Sequence, residues 1–339
     1  IRAYAYLSDI KEMFRNVSAY NIMLAFGLIL LIGVVFHYLF KTFVSASLSH
    51  FYKDYSWFRH LLITVLAGFI GFLALRGGLR EIPKNQSDGY FCSERLYNIA
   101  TINSTWNFFN VLVENDKFLE KNPYKKMSDN EVDICIENLY SKAELSNVRL
   151  FTEINKPNIV LITMEGVSAE VFKIHNKKES YMPFLESIID SSYYFSNAFS
   201  VGSRTEQGIA ALLSGTLSTP FNNITDNVST LYKLPSILCS FNQRDYSTNF
   251  MFGGNVEFAN MRAYLSEMGF DSIVDILDFE SEKRKQSLGV PDEYLFEELE
   301  GFLKETKSPF FVQVMTLSTH EPFDIPGAKK LGNERDLYI

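Results

Sequence analysis

A long stretch without charge near the N-terminus places the strongest constraint on how this chain can fold. Residues 17–40 contain no Asp, Glu, Lys or Arg and lie between Arg15 and Lys41. About 20 apolar residues in a helix cross the roughly 30 Å hydrocarbon core of a bilayer. A buried helix of a soluble core is the alternative, but residues 28–35 offer no polar face. The stretch therefore predicts a transmembrane helix at residues 17–40.

A second apolar stretch, residues 60–75, predicts another transmembrane helix. It is short for a span, so the flanking Arg59 and Arg76 would extend their charged ends to the membrane surfaces. The loop that connects the two stretches has three basic residues against a single acid, Asp54. Because basic loops stay on the cytoplasmic side, we expect everything after the second span to lie outside the cytoplasm.

The expected organisation has three parts, namely a membrane region at 1–80, a helical extracytoplasmic linker at 81–154 and an α/β domain at 155–339. The chain begins at Ile1 rather than Met, so we expect it to be a fragment of a longer protein. The formal net charge is −8 and no basic block is present. This charge distribution argues against nucleic-acid binding.

Three cysteines, Cys92, Cys135 and Cys239, are too few for a disulfide framework and have no metal-binding spacing. Cys92 and Cys135 both fall in the predicted linker outside the cytoplasm and could form a disulfide. The alternative is that all three are buried free thiols that pack as small apolar residues. The sequence leaves both possibilities open.

From Lys156 onward the pattern becomes that of an α/β domain. Residues 158–164 form a continuous apolar run that ends at Glu165, as expected for a buried parallel strand. Further strands are predicted at 193–201, 246–252, 271–274 and 309–317, and helices at 182–189, 206–214, 234–241, 258–268 and 292–306. Helices that alternate with apolar strands predict a parallel sheet sandwiched by helices.

Polar residues follow several predicted strands, and open parallel sheets bind ligands at the carboxyl ends of their strands. Glu165 ends the first strand, where a carboxylate could bind a metal or cap a helix. Thr205 lies at the start of the helix after the second predicted strand, where its hydroxyl could be a nucleophile or an ordinary N-cap. Arg204 beside it could bind a phosphate through two hydrogen bonds.

Two further strand ends carry candidate residues. His320 follows the last predicted strand, where a titratable group could be functional or structural. Gly253 and Gly254 follow another strand, and paired glycines let a backbone approach a ligand closely. The helix after them carries Arg262, which could contact substrate or make a surface ion pair. Each signal is weak alone, but their convergence on one edge of a sheet predicts a functional site.

Six short motifs keep one order along the second half of the chain. They are NIVLITME (158–165), GSRTEQG (202–208), FGGNVEFANMR (252–262), GFD (269–271), GVPDE (289–293) and TLSTHEPF (316–323). With RGG at 76–78, this set resembles the lipoteichoic acid synthase branch, the phosphoglycerol transferases, of the alkaline phosphatase/sulfatase superfamily. The resemblance covers residues 76–323.

The resemblance implies the α/β fold of that superfamily and a transferase at the outer face of a bacterial cell membrane. This enzyme would move phosphoglycerol from a phospholipid head group to a glycan or lipid acceptor. The resemblance implies Glu165 as a metal ligand, Thr205 as the nucleophile that also touches the metal, and Arg204, Arg262 and His320 as substrate contacts. It implies one divalent metal, Mn²⁺ first, with Mg²⁺ or Zn²⁺ as alternatives.

Two alternatives remain open at this point. A sulfatase or phosphoethanolamine transferase belongs to the same superfamily, although no Cys/Ser-x-Pro-x-Arg run surrounds Thr205. A catalytically inactive, membrane-tethered binding module is the other alternative.

The family completes its metal site with an Asp-His pair, a dipeptide absent from this sequence, so we expect those ligands beyond Ile339. We therefore expect the chain alone to bind metal weakly and to be inactive.

Overall fold

The computed structural model describes residues 57–80, 82–115, 127–140, 156–172, 180–218, 223–320 and 322–326, together with positions 27, 31, 34, 35 and 38. The chain divides into two compact units, residues 1–84 with 103–143 and residues 85–102 with 144–339. The region predicted as a linker, 81–154, is therefore split between the two units.

The helices and strands used below have the following bounds. The helices are α1 (Trp57–Arg76), α2 (Arg95–Thr101), α3 (Ser104–Asn115), α4 (Asp129–Tyr140), α5 (Pro183–Ser187), α6 (Thr205–Ser214), α7 (Ile237–Asn242), α8 (Met261–Met268) and α9 (Asp292–Glu305). The strands are β1 (Ile159–Thr163), β2 (Ser247–Phe252), β3 (Ser272–Val274) and β4 (Phe310–Met315).

The first unit contains α1, α3 and α4. α1 includes the second predicted span, residues 60–75, as one continuous helix. The first predicted span, residues 17–40, lies outside the described residues except for five positions that are helical. Within the described part of the chain, no helix combines the length and apolar character needed to cross a membrane. Both spans stay predictions.

A parallel sheet forms the centre of the second unit. Over the described residues its strand order is β1-β4-β2-β3. Thr163 at the end of β1 pairs with Met315 at the end of β4, which in turn pairs with Phe252 at the end of β2. The carboxyl ends of these three strands therefore lie side by side at one edge, and the predicted parallel α/β sheet is confirmed.

Helices cover both faces of the sheet, because alternate strand residues point to opposite sides. On one face, strand residues pack against α6, α7 and α8; members of this core are Phe250, Phe311, Ile209, Leu238 and Tyr264. On the other face, strand residues pack against α9; members of this core are Met251, Val312, Val314, Leu295 and Leu299. The predicted sandwich of helices around the sheet is confirmed.

Residues 85–102 are fastened to α8 by polar contacts. The Tyr90 hydroxyl donates to Glu267 Oε1 at 3.1 Å, and Arg95 Nε lies 3.2 Å from the same oxygen. Burial, together with the negative charge of Glu267, raises the pKa of Tyr90 above its ordinary value. This segment is therefore a structural part of the α/β unit.

The prediction of a strand at residues 193–201 was wrong, because that segment is irregular chain leading towards α6. Its aromatic side chains are exposed, 69% for Phe195 and 84% for Phe199. Aromatic and β-branched residues favour a strand only where neighbouring strands and a core receive them. Here the described partner of β1 is β4, from more than a hundred residues further along.

The structure has all three cysteines as free thiols. Cys92 and Cys135 lie in different units, so a disulfide between them stays an open possibility. Cys135 and Cys239 are exposed and Cys92 is half-buried, which contradicts the alternative of three buried thiols. The Cys92 sulfur lies 3.4 Å from Asn98 Oδ1 and takes part in the local turn that precedes α2.

Candidate active site

Glu165 and Thr205 meet at the carboxyl edge of the sheet. Glu165 follows β1 closely, and Thr205 is the first residue of α6. The Thr205 hydroxyl donates a hydrogen bond to Glu165 Oε1 at 2.9 Å. Both residues are half-buried, so the fold holds the pair and leaves it accessible to a ligand. The structure brings together the two groups that the sequence predicts as a pair; their chemical roles stay predictions.

Two threonines of the turn after β4 fix the backbone of Glu165. The Glu165 N–H donates to Thr316 Oγ1 at 3.0 Å, and the Thr319 hydroxyl donates to the Glu165 carbonyl oxygen. Sequence reasoning missed both residues and singled out only His320 from this motif. The signal was present, because polar residues after adjacent parallel strands meet at the same edge.

The first turn of α6 places the Thr205 hydroxyl. Arg204 precedes the helix in extended conformation, and its carbonyl oxygen accepts from the N–H groups of Gln207 and Gly208, both at 3.1 Å. Glu206 is buried, and its carboxylate accepts from Asn223 Nδ2 at 2.7 Å. An acid in the first turn suits the positive end of the helix dipole. Glu206 is a supporting residue that the sequence did not reveal.

The Glu165–Thr205 pair fits part of a metal site. Adjacent oxygen ligands of an octahedral cation with bonds of about 2.1 Å lie about 3 Å apart, and these two oxygens are 2.9 Å apart. Among the residues that the structure describes, no cluster of three or more His, Cys, Asp or Glu is arranged to hold a metal. The metal site therefore stays a prediction.

Arg204 and His320, which the sequence predicts as substrate contacts, are both exposed. The Arg204 side chain is 68% exposed and lies 3.9 Å from Glu206 Oε1, so its guanidinium can reach a ligand in solvent. His320 is exposed in the turn that carries Thr319. Its backbone N–H donates to the Leu317 carbonyl oxygen at 2.9 Å. In sequence, Arg204 adjoins Thr205 and His320 adjoins Thr319, and both residues are exposed.

Arg262 makes its contacts inside the fold. Its guanidinium forms a close ion pair with Asp275, whose side chain is 1% exposed, and Nε lies 3.5 Å from Glu257 Oε1. Burial raises the pKa of the Asp275 carboxyl, although Arg262 and a backbone N–H partly oppose that effect. These contacts give Arg262 a structural partner, and its predicted substrate contact stays a prediction.

Gly253 and Gly254 approach another part of the chain. A Cβ on Gly253 would lie 2.6 Å from the Val290 carbonyl oxygen, and the Gly253 carbonyl oxygen accepts from the Val290 N–H at 2.9 Å. Gly254 pairs with Gly289 in an isolated antiparallel bridge. The close backbone approach expected of the paired glycines is therefore present, and it is explained by this internal contact.

The chain is similar to a known family and to several of its members. The model of the family described as Sulfatase matches residues 157–331. The chain is 26% identical over 190 residues to a lipoteichoic acid synthase-like protein of Bacillus subtilis. The matched segment covers 53% of this chain and 29% of that protein. It is also 26% identical over 224 residues to the lipoteichoic acid synthase of Staphylococcus saprophyticus. That match covers 62% of this chain and 33% of the relative. The chain spans about a third of the length of these relatives.

Two solved structures share the fold. One is a protein in the alkaline phosphatase superfamily from Vibrio parahaemolyticus, with a TM-score of 0.51, 23% identity, and coverage of 62% of this chain and 56% of that one. The other is the lipoteichoic acid synthase LtaP from Listeria monocytogenes, with a TM-score of 0.50, 21% identity, and coverage of 60% and 53%. At these identities the likeness shows the fold alone.

Proposed function

The chain belongs to the sulfatase family, and on that premise we propose that it is a metal-dependent transferase that moves phosphoglycerol from a phospholipid to an acceptor hydroxyl. The 2.9 Å hydrogen bond from Thr205 to Glu165 carries the proposal, since it pairs a hydroxyl with a carboxylate where parallel sheets bind ligands. The names of the curated relatives, lipoteichoic acid synthases, support this choice within the family.

In the first half-reaction, Thr205 acts as the nucleophile. Its Oγ1 bonds to the phosphorus of phosphatidylglycerol while the bond from phosphorus to the diacylglycerol oxygen breaks. The hydrogen bond to Glu165 Oε1 orients Oγ1, which loses its proton to solvent as it bonds to phosphorus, and the diacylglycerol oxygen takes up a proton as it leaves. The N-terminus of α6 favours the negative charge of the phosphoryl group at this position.

In the second half-reaction, an acceptor hydroxyl of a glycan or lipid replaces Thr205. The acceptor oxygen bonds to phosphorus, the bond from phosphorus to Oγ1 breaks, and Oγ1 regains a proton from solvent as the acceptor hydroxyl loses one. The exposed guanidinium of Arg204 would hold the phosphoryl oxygens through charge-assisted hydrogen bonds. His320 would contact the glycerol.

Glu165 and Thr205 would hold one divalent cation, Mn²⁺ first, with Mg²⁺ or Zn²⁺ as alternatives. When bound, such a cation lowers the pKa of the threonine hydroxyl and offsets charge on the phosphoryl oxygens. The two oxygens lie 2.9 Å apart, close enough for both to bind one cation. Mn²⁺ titration into Glu165→Gln and unmodified full-length protein tests it directly.

We also propose attachment to a bacterial cell membrane, with the α/β unit outside the cytoplasm. The charge-free residues 17–40 and the basic loop that follows them support this placement. A phospholipid donor is consistent with it, because the enzyme must meet its substrate at a bilayer surface.

Mass spectrometry of the full-length protein tests the reaction. The protein is incubated with phosphatidylglycerol and Mn²⁺ without acceptor, and the peptide containing Thr205 is analysed. We expect this peptide to gain one phosphoglycerol group, with release of an equal amount of diacylglycerol. Phosphatidylethanolamine and a sulfate ester serve as parallel substrates for the other activities of this superfamily.

Two variants control the experiment. Thr205→Ala should abolish the adduct, and Ser203→Ala, which removes a neighbouring exposed hydroxyl, should retain it. An adduct from phosphatidylethanolamine alone would replace the proposed substrate. No adduct and no diacylglycerol from any donor would contradict the proposed chemistry.

A further inference from the structure

Asp292, the first residue of α9, holds the turn that follows β4. Its Oδ1 accepts from the Leu317 backbone N–H at 2.7 Å, and its Oδ2 accepts from the Ser318 N–H at 3.2 Å. The Asp292 N–H donates in return to Ser318 Oγ at 2.9 Å. Burial disfavours the ionised form of the Asp292 carboxyl and raises its pKa. The hydrogen bonds from the two N–H groups partly offset this effect.

The same turn fixes Glu165. Its two threonine hydroxyls contact the N–H and the carbonyl oxygen of Glu165. A continuous series of hydrogen bonds and short backbone segments therefore runs from Asp292 through the turn to Glu165, and from the Glu165 carboxylate to Thr205. A shift of the turn would move the carboxylate relative to the hydroxyl.

The segment just before Asp292 is itself anchored. The Val290 N–H donates to the Gly253 carbonyl oxygen at 2.9 Å, which ties this segment to the end of β2. The Ser287 N–H donates to Asp324 Oδ2 at 2.7 Å, which ties it to the chain beyond the turn. Asp292 therefore connects the ends of β2 and β4 at the edge where the candidate site lies.

We propose that Asp292 is a positioning residue for transfer at Thr205, acting through the turn that fixes Glu165. This inference rests on the proposed function. Asp292 lies outside the reacting groups and orients one of them. An error of about 1 Å in the placement of a reacting group lowers a rate by about 100-fold, so hydrogen bonds to this turn can matter greatly to the rate.

The test compares two Asp→Asn variants of the full-length protein. Asp292→Asn places an N–H₂ group opposite one of the two N–H donors and loosens the turn. Asp271→Asn is the matched control, because Asp271 Oδ2 also accepts a backbone N–H, from Thr248 at 2.8 Å, at the opposite end of the sheet. Diacylglycerol release from phosphatidylglycerol, with Mn²⁺ present and glycerol supplied as the acceptor hydroxyl, gives kcat and KM. Amide hydrogen exchange reports on Leu317 and Ser318.

For Asp292→Asn we expect kcat to fall about 10- to 100-fold, with KM within about twofold and faster exchange at Leu317 and Ser318. Asp271→Asn should keep kcat within about twofold. Thr319→Val removes the next link in the series, the hydrogen bond to the Glu165 carbonyl oxygen, and provides a second variant if Asp292→Asn fails to fold. It should lower kcat in the same way.

Several outcomes would overturn the inference. One is unchanged kcat in Asp292→Asn while the turn exchanges faster; another is an equal loss of kcat in Asp271→Asn. If Asp292→Asn does not fold, an unchanged kcat in Thr319→Val would also overturn the inference.

If unmodified protein and Thr205→Ala are equally inactive, the proposed function fails and the inference falls with it. A failure confined to Asp292→Asn in an active protein concerns the inference alone.

Discussion

The ends of β1 and β2 carry similar sequence signals and have different local structures. After β1, Glu165 accepts its hydrogen bond from Thr205, and both residues remain half-buried. Beyond β2, Arg262 pairs with Asp275, whose side chain is 1% exposed, and with Glu257. One region keeps polar atoms accessible to a ligand, and the other joins its charges to each other.

This difference shows what separates a reactive site from a structural one at the same sheet edge. A polar side chain after a strand becomes available for chemistry only when the fold leaves it accessible. Where a buried acid meets a half-buried base, as Asp275 meets Arg262, removal of the base leaves a buried charge uncompensated. The comparison therefore makes opposite predictions for substitutions in the two regions.

Arg262→Met is expected to cause the largest loss of stability. It leaves Asp275 buried without its cation, which costs about 3–5 kcal/mol in the free energy of unfolding. Glu165→Gln removes a charge from the accessible pair and should cost about 1 kcal/mol or less, because Gln can still accept from Thr205. Native-state hydrogen exchange of the β4 amides in the full chain measures both values, since these amides are buried. Equal losses in the two variants would erase the proposed distinction.

Much of the sheet could be predicted from the sequence. Strands are predicted at residues 158–164, 246–252 and 309–317, and the structure has strands at β1, β2 and β4 within two residues of those limits. β4 is buried along its whole length, as expected of a parallel strand covered on both faces. β1 is not, because Val160 and Ile162 are exposed, so the prediction of a buried strand at 158–164 was wrong about its burial. The segment 193–201 has a similar composition and is irregular and exposed, because composition does not report whether a pairing partner exists.

The candidate site was predictable only in part. Glu165 and Thr205 could be brought together because each adjoins the end or start of an element. Their supports could not be predicted, since Thr316, Thr319 and Asp292 reach the site through the pairing of β4 with β1. That pairing joins segments about 150 residues apart, a register that local pattern cannot supply.

Gly253→Ala is expected to cause the next largest loss of stability. It tests whether the glycines after β2 are needed for the close approach of this segment to Val290. The new Cβ would lie 2.6 Å from the Val290 carbonyl oxygen, a backbone atom that can move only if the connecting segment moves. Overpacking of this kind costs about 1–3 kcal/mol. Gly301→Ala in α9 is the matched control, because nothing lies within 4 Å of its Cβ, and Ala in a helix should gain about 0.5–1 kcal/mol.

Exchange of the β4 amides again measures both glycine variants. If Gly253→Ala is as stable as Gly301→Ala, the approach of the two backbones is loose and the glycines need another explanation. A ligand-binding role would then predict a loss of activity in Gly253→Ala without a loss of stability.

The smallest expected effect is a pH dependence that belongs to the Arg262 region. Burial raises the pKa of Asp275 in the folded state, whereas an exposed Asp in the unfolded chain has a pKa of about 3.9. As the pH rises above about 4, the unfolded chain therefore loses its proton first and is favoured, so stability falls until Asp275 also ionises in the folded state. The stability of the unmodified chain relative to Asp275→Asn should decrease over this window and level off above it. Exchange of the β4 amides, corrected for the intrinsic rate at each pH, measures this difference. A difference that instead grows with pH would mean that the attraction of Arg262 outweighs burial and that Asp275 ionises readily within the fold.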